Sequence, residues 1–460
     1  MQPMTVPELV SATGGIWWNP QEGLPPVCGV CTDSRKPTAG CLFIPWKGET
    51  FDGHDFIDAA LESGAAGTLC AKLPTTLRSD KFYIKVDDTR LALKALAAVY
   101  RAKFDIPVIQ ITGSVGKTTT KEMIASVLSR RFKVLKTEAN FNNDIGTPLT
   151  LLELSSQHEV AVIETGMNHF GEIHYLGEMV RPNIAVISNV GDAHIEFLGS
   201  REGILKAKSE IFDFLQPGGT AVLNGDDALL DTLQLSFPTL RCGQTEHCGV
   251  RVSDVADHGL DGTTCRVTTA KDSYVLTIHA PGGHLIYCAS MAVAIGEQLG
   301  MTREEIVEGV AAFQGVGSRM EVLRLPGKRI ILNDCYNANP QSVAAGLEVL
   351  AKSPGRHKLA ILGDMGELGA HTEAAHYNIG ALAAMLGIDC VIAIGQKAEK
   401  IAQGALDSGG TAIHFADKGA AREELLREFG PDTSALVKAS HFSMHFETIV
   451  EFLKEQNYTT

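Results

Sequence analysis

The chain has 460 residues, more than one ordinary hydrophobic core accommodates, and at about 150 residues per domain this length predicts three domains. Hydrophobic residues make up 45% and charged residues 20%, a globular composition that excludes long disorder and fibrous repeats. The formal net charge of -14 argues against non-specific nucleic-acid binding, and no nucleic-acid partner is expected. This net charge is still compatible with a phosphorylated small substrate that is bound by a few local cations and backbone amides.

Apolar segments and cysteines indicate the cellular setting. No uncharged apolar run reaches the roughly 18 residues that cross a bilayer, and residues 1–11 lack the basic and apolar regions of a secretory signal. The ten cysteines are scattered, and the pair Cys28 and Cys31 has no second pair nearby at zinc-binding spacing. We therefore expect a cytoplasmic protein with reduced thiols and no membrane insertion.

The first hundred residues alternate short strands with helices. Strands are predicted at 41–45 and 82–86, and helices at 55–63 and 89–103. Pro107 disfavours helix in the residue before it, which places the first boundary near Phe104. Residues 1–104 are predicted to form a small N-terminal α/β domain.

The next two hundred residues keep a strand, helix, strand rhythm. Strands are predicted at 108–112, 160–164, 184–188 and 221–223, a helix at 117–130, a β-rich stretch at 250–279, and two further helices at 286–299 and 302–313. Buried apolar strands that alternate with helices are typical of a doubly wound parallel sheet. Residues 105–314 are predicted to form this central domain, and residues 314–317 a hinge.

The last part repeats the α/β rhythm. Strands are predicted at 330–333, 359–362, 391–394 and 435–437. Residues 315–460 are therefore predicted to form a second open sheet, a Rossmann-like α/β domain.

The strongest local signal is a glycine-containing loop between strand 108–112 and the following helix. Glycines let backbone amides curl around phosphate oxygens, Lys117 reaches the terminal phosphates, and a threonine hydroxyl such as that of Thr118 can bind magnesium. Ile111 stands where the general P-loop pattern has its first glycine. The predicted nucleotide-binding residues of this loop are Gly113, Ser114, Val115, Gly116, Lys117, Thr118 and Thr119.

This loop resembles the shortened P-loop of the Mur ligases and their folylpolyglutamate synthase relatives. Further motifs match that family in order along nearly the whole chain. They are DSRK at 33–36, KGE at 47–49, FDGHD at 51–55, NFNN at 140–143, ETGMN at 164–168, NVGDAH at 189–194, AKSE at 207–210, SRM at 318–320, DCYNANP at 334–340 and GDMGELG at 363–369.

The resemblance implies a three-domain ATP-dependent ligase. The front motif and the runs DCYNANP and GDMGELG look most like the member that joins D-alanyl-D-alanine to UDP-N-acetylmuramoyl-tripeptide in peptidoglycan synthesis. In that reaction ATP phosphorylates the tripeptide carboxylate, and the amine of D-alanyl-D-alanine attacks the acyl phosphate. ATP and Mg²⁺ are the implied cofactors, and a monomer is expected.

Candidate metal ligands follow two strands of the predicted central sheet. Glu164 ends one strand and His194 lies in the loop after another, where open α/β sheets build their sites. The resemblance implies that both hold magnesium, together with a carbamylated Lys208. Lys206 is two residues from Lys208, on a different helix face, so only one of the two should reach the metals.

The resemblance also implies roles for residues around the second hinge. Arg319 would reach the γ-phosphate when the C-terminal domain closes. With Lys117, His194 and Lys208 it completes the predicted catalytic set. Asp334, Tyr336, Asn337 and Asn143 would lie beside the nucleotide.

In the first domain the resemblance implies that the uridine diphosphate part of the substrate is held by polar and cationic side chains. Diphosphate recognition requires cations and amides. The implied residues are Ser34, Arg35, Lys47 and His54.

Two departures from the family pattern bear on local contacts. Residues 285–288 read LIYC, with Leu285 and Cys288 in a stretch that is usually rich in asparagine, and residues 438–441 read KASH, with Ala439 and His441, where KGSR is usual. Two alternatives stay open: a sibling ligase that adds an amino acid or glutamate, and a non-catalytic nucleotide-binding regulator. The third residue of the peptide, lysine or a diaminopimelate, is also open.

Overall fold

The structure is a computed structural model that describes residues 1–18, 20–48, 50–440, 444–456 and 458. Three α/β sheets follow one another along the chain, so the predicted three-domain α/β fold class is confirmed. Over the described residues, no helix has the length and apolar character needed to span a membrane.

The first sheet carries the amino-terminal residues and has five strands in the order β1-β5-β4-β3-β2, with β1 antiparallel to β5 and the other pairs parallel. Its strands are β1 (Ile16–Trp18), β2 (Val30–Cys31), β3 (Leu42–Phe43), β4 (Gly67–Cys70) and β5 (Phe82–Lys85), with helices α1 (Val6–Thr13), α2 (Ile57–Glu62) and α3 (Thr89–Arg101). Helix α3 begins where the Asp88 side chain accepts hydrogen bonds from the amides of Arg90 and Leu91.

The second sheet has nine strands in the order β14-β13-β12-β11-β10-β9-β6-β8-β7. The strands are β6 (Val108–Thr112), β7 (Val134–Lys136), β8 (Val160–Glu164), β9 (Ile184–Ile187), β10 (Thr220–Asn224), β11 (Thr239–Gly243), β12 (Val250–Asp257), β13 (Thr263–Thr268) and β14 (Ser273–Ile278). Strands β7, β8 and β6 pair in parallel, as do β10, β11 and β12, whereas β12 to β14 form an antiparallel meander. The predicted β-rich stretch is this meander.

Eight helices accompany the second sheet over the described residues. They are α4 (Lys117–Leu128), α5 (Gly146–Leu152), α6 (Glu172–Val180), α7 (Ile195–Leu198), α8 (Arg201–Ser209), α9 (Ala228–Asp231), α10 (Leu285–Gln298) and α11 (Arg303–Ala311). Strands β6, β8 and β9 are buried along their whole length, as the continuous apolar runs predict for strands covered on both faces.

The third sheet has six strands in the order β15-β16-β20-β17-β18-β19, parallel except for β15 against β16. Its elements are β15 (Glu321–Leu325), β16 (Arg329–Asn333), α12 (Pro340–Lys352), β17 (His357–Gly363), α13 (Thr372–Met385), β18 (Cys390–Ile394), α14 (Glu399–Asp407), β19 (Ala412–Phe415), α15 (Arg422–Glu428), β20 (Thr433–Lys438) and α16 (Glu447–Lys454).

Successive side chains of the third sheet enter two different cores. Leu362 and Leu436 belong to one core, and their neighbours Ile361 and Val437 belong to the other. This is the alternation that a strand imposes on its side chains, and it shows that helices cover both faces.

The chain forms two compact units. One contains Met1–Thr112, Phe132–Val186 and Ser209–Thr220, and the other Gly113–Arg131, Ile187–Lys208 and Ala221–Thr460.

Within the second unit, the tip of the β12–β13 hairpin packs onto the third sheet's domain. Leu260 is only 8% exposed and joins the core formed with α12, and Lys352 on α12 donates to Asp257 Oδ2 at 2.7 Å.

Candidate functional site

The loop between β6 and α4 has the geometry of a phosphate-binding loop. Gly116 adopts a φ of +77°, in the left-handed region that favours glycine, and the first turn of α4 begins directly after it. Lys117 Nζ donates to Gly113 O at 2.8 Å, so its ammonium group folds back over the loop. The loop thus directs an ammonium group and the amino end of a twelve-residue helix towards the same region.

Two residues at the end of β9 hold this loop in place. The side-chain amide of Asn189 accepts from Val115 N and donates to Val115 O, both at 2.9 Å, and Ser188 Oγ donates to the same carbonyl at 2.7 Å. Sequence reasoning placed Asn189 in a family motif without a role, and its position directly after a buried strand was the available signal.

Among the residues that the structure describes, three buried hydroxyls beside the loop have no hydrogen-bond partner. They belong to Thr112, Ser114 and Thr118, all at most 6% exposed. Buried hydroxyls normally find partners, so such a group suggests a ligand that the structure does not contain. A phosphate group and a hard cation such as Mg²⁺ fit hydroxyl oxygens of this kind.

Glu164 belongs to the other compact unit and ends strand β8, in register with Ile111 of β6. Its side chain is buried. Oε1 accepts from Asn142 Nδ2 at 2.8 Å, whereas Oε2 is buried and has no hydrogen-bond partner within the described part of the chain. A buried carboxylate oxygen left in this state suits a metal ligand. The metal role of Glu164 remains a prediction.

His194 begins the short helix α7 with a φ of +66°, an uncommon backbone conformation for a residue with a side chain. Its Nδ1 lies 2.6 Å from Glu367 Oε2, within ion-pair distance. Burial lowers the pKa of His194, and the positive charges of Lys117 and Lys208 lower it further, against the opposing effect of Glu367. A lowered pKa keeps the imidazole neutral, as metal binding requires.

Lys208 lies near the end of α8 and is 1% exposed, whereas Lys206 on the same helix is exposed. Among the described residues, no acidic side chain forms an ion pair with Lys208. Burial lowers its pKa well below the usual value, and the nearby charge of Lys117 adds to the effect. The helix thus buries one lysine of the pair, as its periodicity predicts.

Arg319 follows the second hinge and stacks on an aromatic ring. Its guanidinium carbon lies 3.9 Å from the centroid of the Tyr336 ring, a cation–π contact. The backbone also connects Tyr336 to the residue before Arg319, because Tyr336 N donates to Ser318 O at 3.1 Å. Arg319 is therefore half-buried and held.

The other predicted nucleotide residues are already engaged in local contacts. Asp334 accepts from the buried Lys438, and Asn337 is exposed with its side-chain oxygen accepting from Ala338 N at 2.9 Å. Asn143 lies three residues before the start of helix α5, and its side chain accepts from Gly146 N at 2.8 Å. The nucleotide-binding roles of Asp334, Asn337 and Asn143 therefore stay predictions.

The four residues predicted to hold a diphosphate lie in loops of the first sheet. Arg35 is exposed and pairs with Asp33 at 2.8 Å, Lys47 is exposed, and Ser34 is half-buried. His54 differs, because its Nδ1 lies 2.6 Å from Asp52 and its Nε2 accepts from Ala71 N at 3.0 Å. Both ring nitrogens of His54 thus have partners within this domain, and its diphosphate role stays a prediction.

One of the two departures is visible in detail. Leu285 and Cys288 are buried on α10, and Cys288 Sγ lies 3.4 Å from Thr120 Oγ1 on α4. These side chains thus pack α10 against the helix of the phosphate-binding loop. Ala439 is buried in the third domain's core, and His441 lies outside the described residues.

The strand, loop and helix geometry together with the unpaired buried hydroxyls defines a P-loop nucleotide-binding protein of the α/β class. Comparison with known proteins narrows this class. The Mur ligase family's catalytic domain matches residues 26–101, the Mur ligase middle domain residues 111–296, and the Mur ligase glutamate ligase domain residues 318–441. The chain belongs to the Mur ligase family, and the resemblance predicted from its motifs is confirmed.

Individual relatives cover almost the whole chain. The UDP-N-acetylmuramoyl-tripeptide–D-alanyl-D-alanine ligase of Escherichia coli (strain K12) is 38% identical over 93% of each chain. A crystal structure of MurF from Acinetobacter baumannii superimposes with a TM-score of 0.91, at 34% identity, over 99% of this chain and 100% of that one. A MurF ligase of Thermotoga maritima, solved in complex with ADP, gives a TM-score of 0.82 at 28% identity over 93% and 97% of the two chains.

Proposed function

We propose that this chain is the ATP-dependent ligase that joins D-alanyl-D-alanine to UDP-N-acetylmuramoyl-tripeptide, giving the muramoyl-pentapeptide precursor of peptidoglycan, ADP and phosphate. The observation that carries this proposal is the 38% identity, over 93% of both chains, with the E. coli ligase of that name. The ADP bound by the Thermotoga maritima relative supports ATP as the nucleotide.

The chemistry begins with a phosphoryl transfer between two anions. A carboxylate oxygen of the tripeptide attacks the γ-phosphorus of ATP, and ADP leaves. The amine of D-alanyl-D-alanine then attacks the acyl carbon, phosphate leaves, and the amine loses a proton. Both steps gather negative charge, so cations and oriented amides must offset it.

The residues of the phosphate-binding loop suit the first step. We assign the phosphate cradle to the amides of residues 113–119 and charge compensation to Lys117, whose ammonium folds over the loop. Arg319 would supply a second cation at the γ-phosphate. Bound Mg²⁺ offsets phosphate charge as a Lewis acid. The side chains of Thr118, Glu164 and His194 would hold it.

Lys208 completes the proposed metal site in a modified form. A bare ammonium group beside a divalent cation is repelled, whereas a carbamate offers anionic oxygens to a hard cation. The neutral amine forms the carbamate by attacking carbon dioxide and releasing one proton. The burial of Lys208 and its lowered pKa supply the neutral amine that this reaction needs.

We propose the predicted division of labour for the three domains. Residues 1–104 bind the UDP substrate, with Ser34, Arg35, Lys47 and His54 at the diphosphate. Residues 105–314 bind ATP, with Asn143 beside the nucleotide. Residues 315–460 bind D-alanyl-D-alanine and also contribute Asp334, Tyr336 and Asn337 beside the nucleotide. We further propose that the protein acts in the cytoplasm as a monomer.

Phosphate release tests the function directly. The purified chain is given ATP, Mg²⁺ and UDP-muramoyl-tripeptide, with D-alanyl-D-alanine, single amino acids or glutamate as the amine. We expect turnover with D-alanyl-D-alanine alone, and the lysine and diaminopimelate tripeptides compared side by side identify the third residue. Turnover with a single amino acid indicates a sibling ligase, and nucleotide binding without turnover indicates a regulator.

A further inference from the structure

The turn that carries Arg319 is conformationally unusual. Ser318 and Met320, on either side of Arg319, both have a φ of +56°, in the left-handed region that residues with side chains seldom adopt. Such conformations persist only where surrounding contacts impose them. The conformation of the turn, and with it the direction of Arg319, must therefore be set by residues outside the turn.

One of the imposing contacts comes from Asp334. Met320 N donates to Asp334 Oδ1 at 3.2 Å, so the carboxylate holds the backbone immediately after Arg319. Asp334 is itself anchored to the third sheet, because its own N donates to Val437 O at 3.0 Å. A carboxylate accepts several hydrogen bonds, so this contact leaves capacity for a nucleotide hydroxyl.

The other carboxylate oxygen of Asp334 is held by a lysine that ends strand β20. Lys438 Nζ donates to Asp334 Oδ2, and it also donates to Asn337 O at 2.9 Å. These partners lie on either side of Tyr336, whose ring supports the Arg319 guanidinium at 3.9 Å. The ammonium group of Lys438 therefore holds, through these two contacts, both the turn that contains Arg319 and the loop that contains Tyr336.

Lys438 is 2% exposed, and its ammonium group is already held by Asp334 Oδ2 and Asn337 O. Its effect must pass through its neighbours. We infer that Lys438 is a positioning residue for the ligase reaction, which orients Arg319 through Asp334 and through the loop of Tyr336. This inference rests on the proposed function, since Arg319 is there the cation at the γ-phosphate.

A double-mutant cycle on the full chain separates positioning from general destabilisation. The variants are Lys438→Met, Arg319→Ala and their combination, compared by kcat for phosphate release at saturating substrates. We expect Lys438→Met to lower kcat by about tenfold to a hundredfold. In the Arg319→Ala background the same change should cost less than about threefold, because the side chain that it positions is gone.

Lys358 provides a matched control within the same sheet. Its Nζ donates to Pro354 O and Gly355 O at 3.0 and 2.7 Å, at the opposite end of the strands from Lys438. Lys358→Met also removes a hydrogen-bonded ammonium from this domain. Any loss of kcat that it causes should multiply with the loss caused by Arg319→Ala.

The outcomes distinguish a failure of the positioning role of Lys438 from a failure of the proposed ligase function. If the Lys438→Met and Arg319→Ala losses multiply, or if Lys438→Met keeps full kcat, Lys438 does not position Arg319. If Arg319→Ala turns over like the wild type, Arg319 is not the cation at the γ-phosphate and the inference about Lys438 fails with it. If the wild type releases no phosphate, the proposed function fails instead. Should Lys438→Met not fold, Asp334→Asn enters the same cycle, because it keeps an acceptor for Met320 and loses the ion pair.

Discussion

The buried lysine of α8 supports a prediction about stability as well as activity. Lys208 is 1% exposed, and no described acidic side chain pairs with it. Burial and the neighbouring Lys117 hold its pKa well below the usual range. Without carbon dioxide, the amine at this position therefore holds its proton less tightly in the folded protein than in the unfolded chain.

The size and sign of the effect follow from proton linkage. Between the lowered pKa of the folded state and the unfolded value of about 10.4, the unfolded chain binds one more proton than the folded protein. The free energy of unfolding therefore rises with pH by about 1.4 kcal/mol per unit from this group, and that amount is lost again as the pH falls. Methionine at position 208 carries no such proton.

We expect Lys208→Met to be more stable than the wild type, by a margin that shrinks as the pH rises. Urea unfolding in carbon-dioxide-free buffer between about pH 8 and pH 9.5 measures this margin. The pH-dependent contributions of the other titrating groups to the free energy of unfolding are the same in both proteins, so they cancel in the difference. Lys206→Met is the control, since Lys206 is exposed on the same helix, and its curve should run parallel to that of the wild type.

Carbon dioxide connects the buried amine of Lys208 to catalysis. With labelled bicarbonate, a carbamate signal is expected by ¹³C NMR in the wild type and in Lys206→Met, and not in Lys208→Met. Lys208→Ala should nearly abolish ligation, and short carboxylic acids should partly restore it by supplying the missing oxygens. Parallel stability curves for Lys208→Met and the wild type would refute the buried neutral amine. Full ligation by Lys208→Ala without additives would exclude the carbamate role.

Three further changes test other parts of the structure. Lys117→Ala should lower kcat for phosphate release by about a hundredfold to a thousandfold through loss of a cation at the phosphates, and near-normal turnover would remove its assignment. Gly113→Ala would place a methyl group 1.9 Å from Ser188 Oγ, so nucleotide affinity measured by calorimetry should fall, and adding Ser188→Ala should recover part of it. Leu260→Ala should destabilise the C-terminal domain by about 2–4 kcal/mol in urea unfolding, whereas Val255→Ala, at an exposed position of the same hairpin, should change stability by less than about 0.5 kcal/mol.

Much of the fold could be predicted from the sequence because its signals are local. The apolar run 108–112, the glycine loop and the helix after it are contiguous, so their order alone predicts the phosphate-binding loop. The alternation of strands and helices likewise predicts three α/β domains. Helical periodicity even separates Lys208, which is buried, from Lys206, which is exposed.

The tertiary structure decided which distant residues hold these local features in place. Asn189 forms hydrogen bonds with Val115, which is 74 residues away in sequence, and Lys438 forms an ion pair with Asp334, which is 104 residues away. The tertiary structure also placed Asp52 and the Ala71 amide at the two ring nitrogens of His54, contacts that the sequence does not predict. Periodicity reports which face of an element is buried, but not which strands become neighbours. Those contacts depend on the order of strands in each sheet, which brings the ends of β6 and β9, and of β16 and β20, side by side.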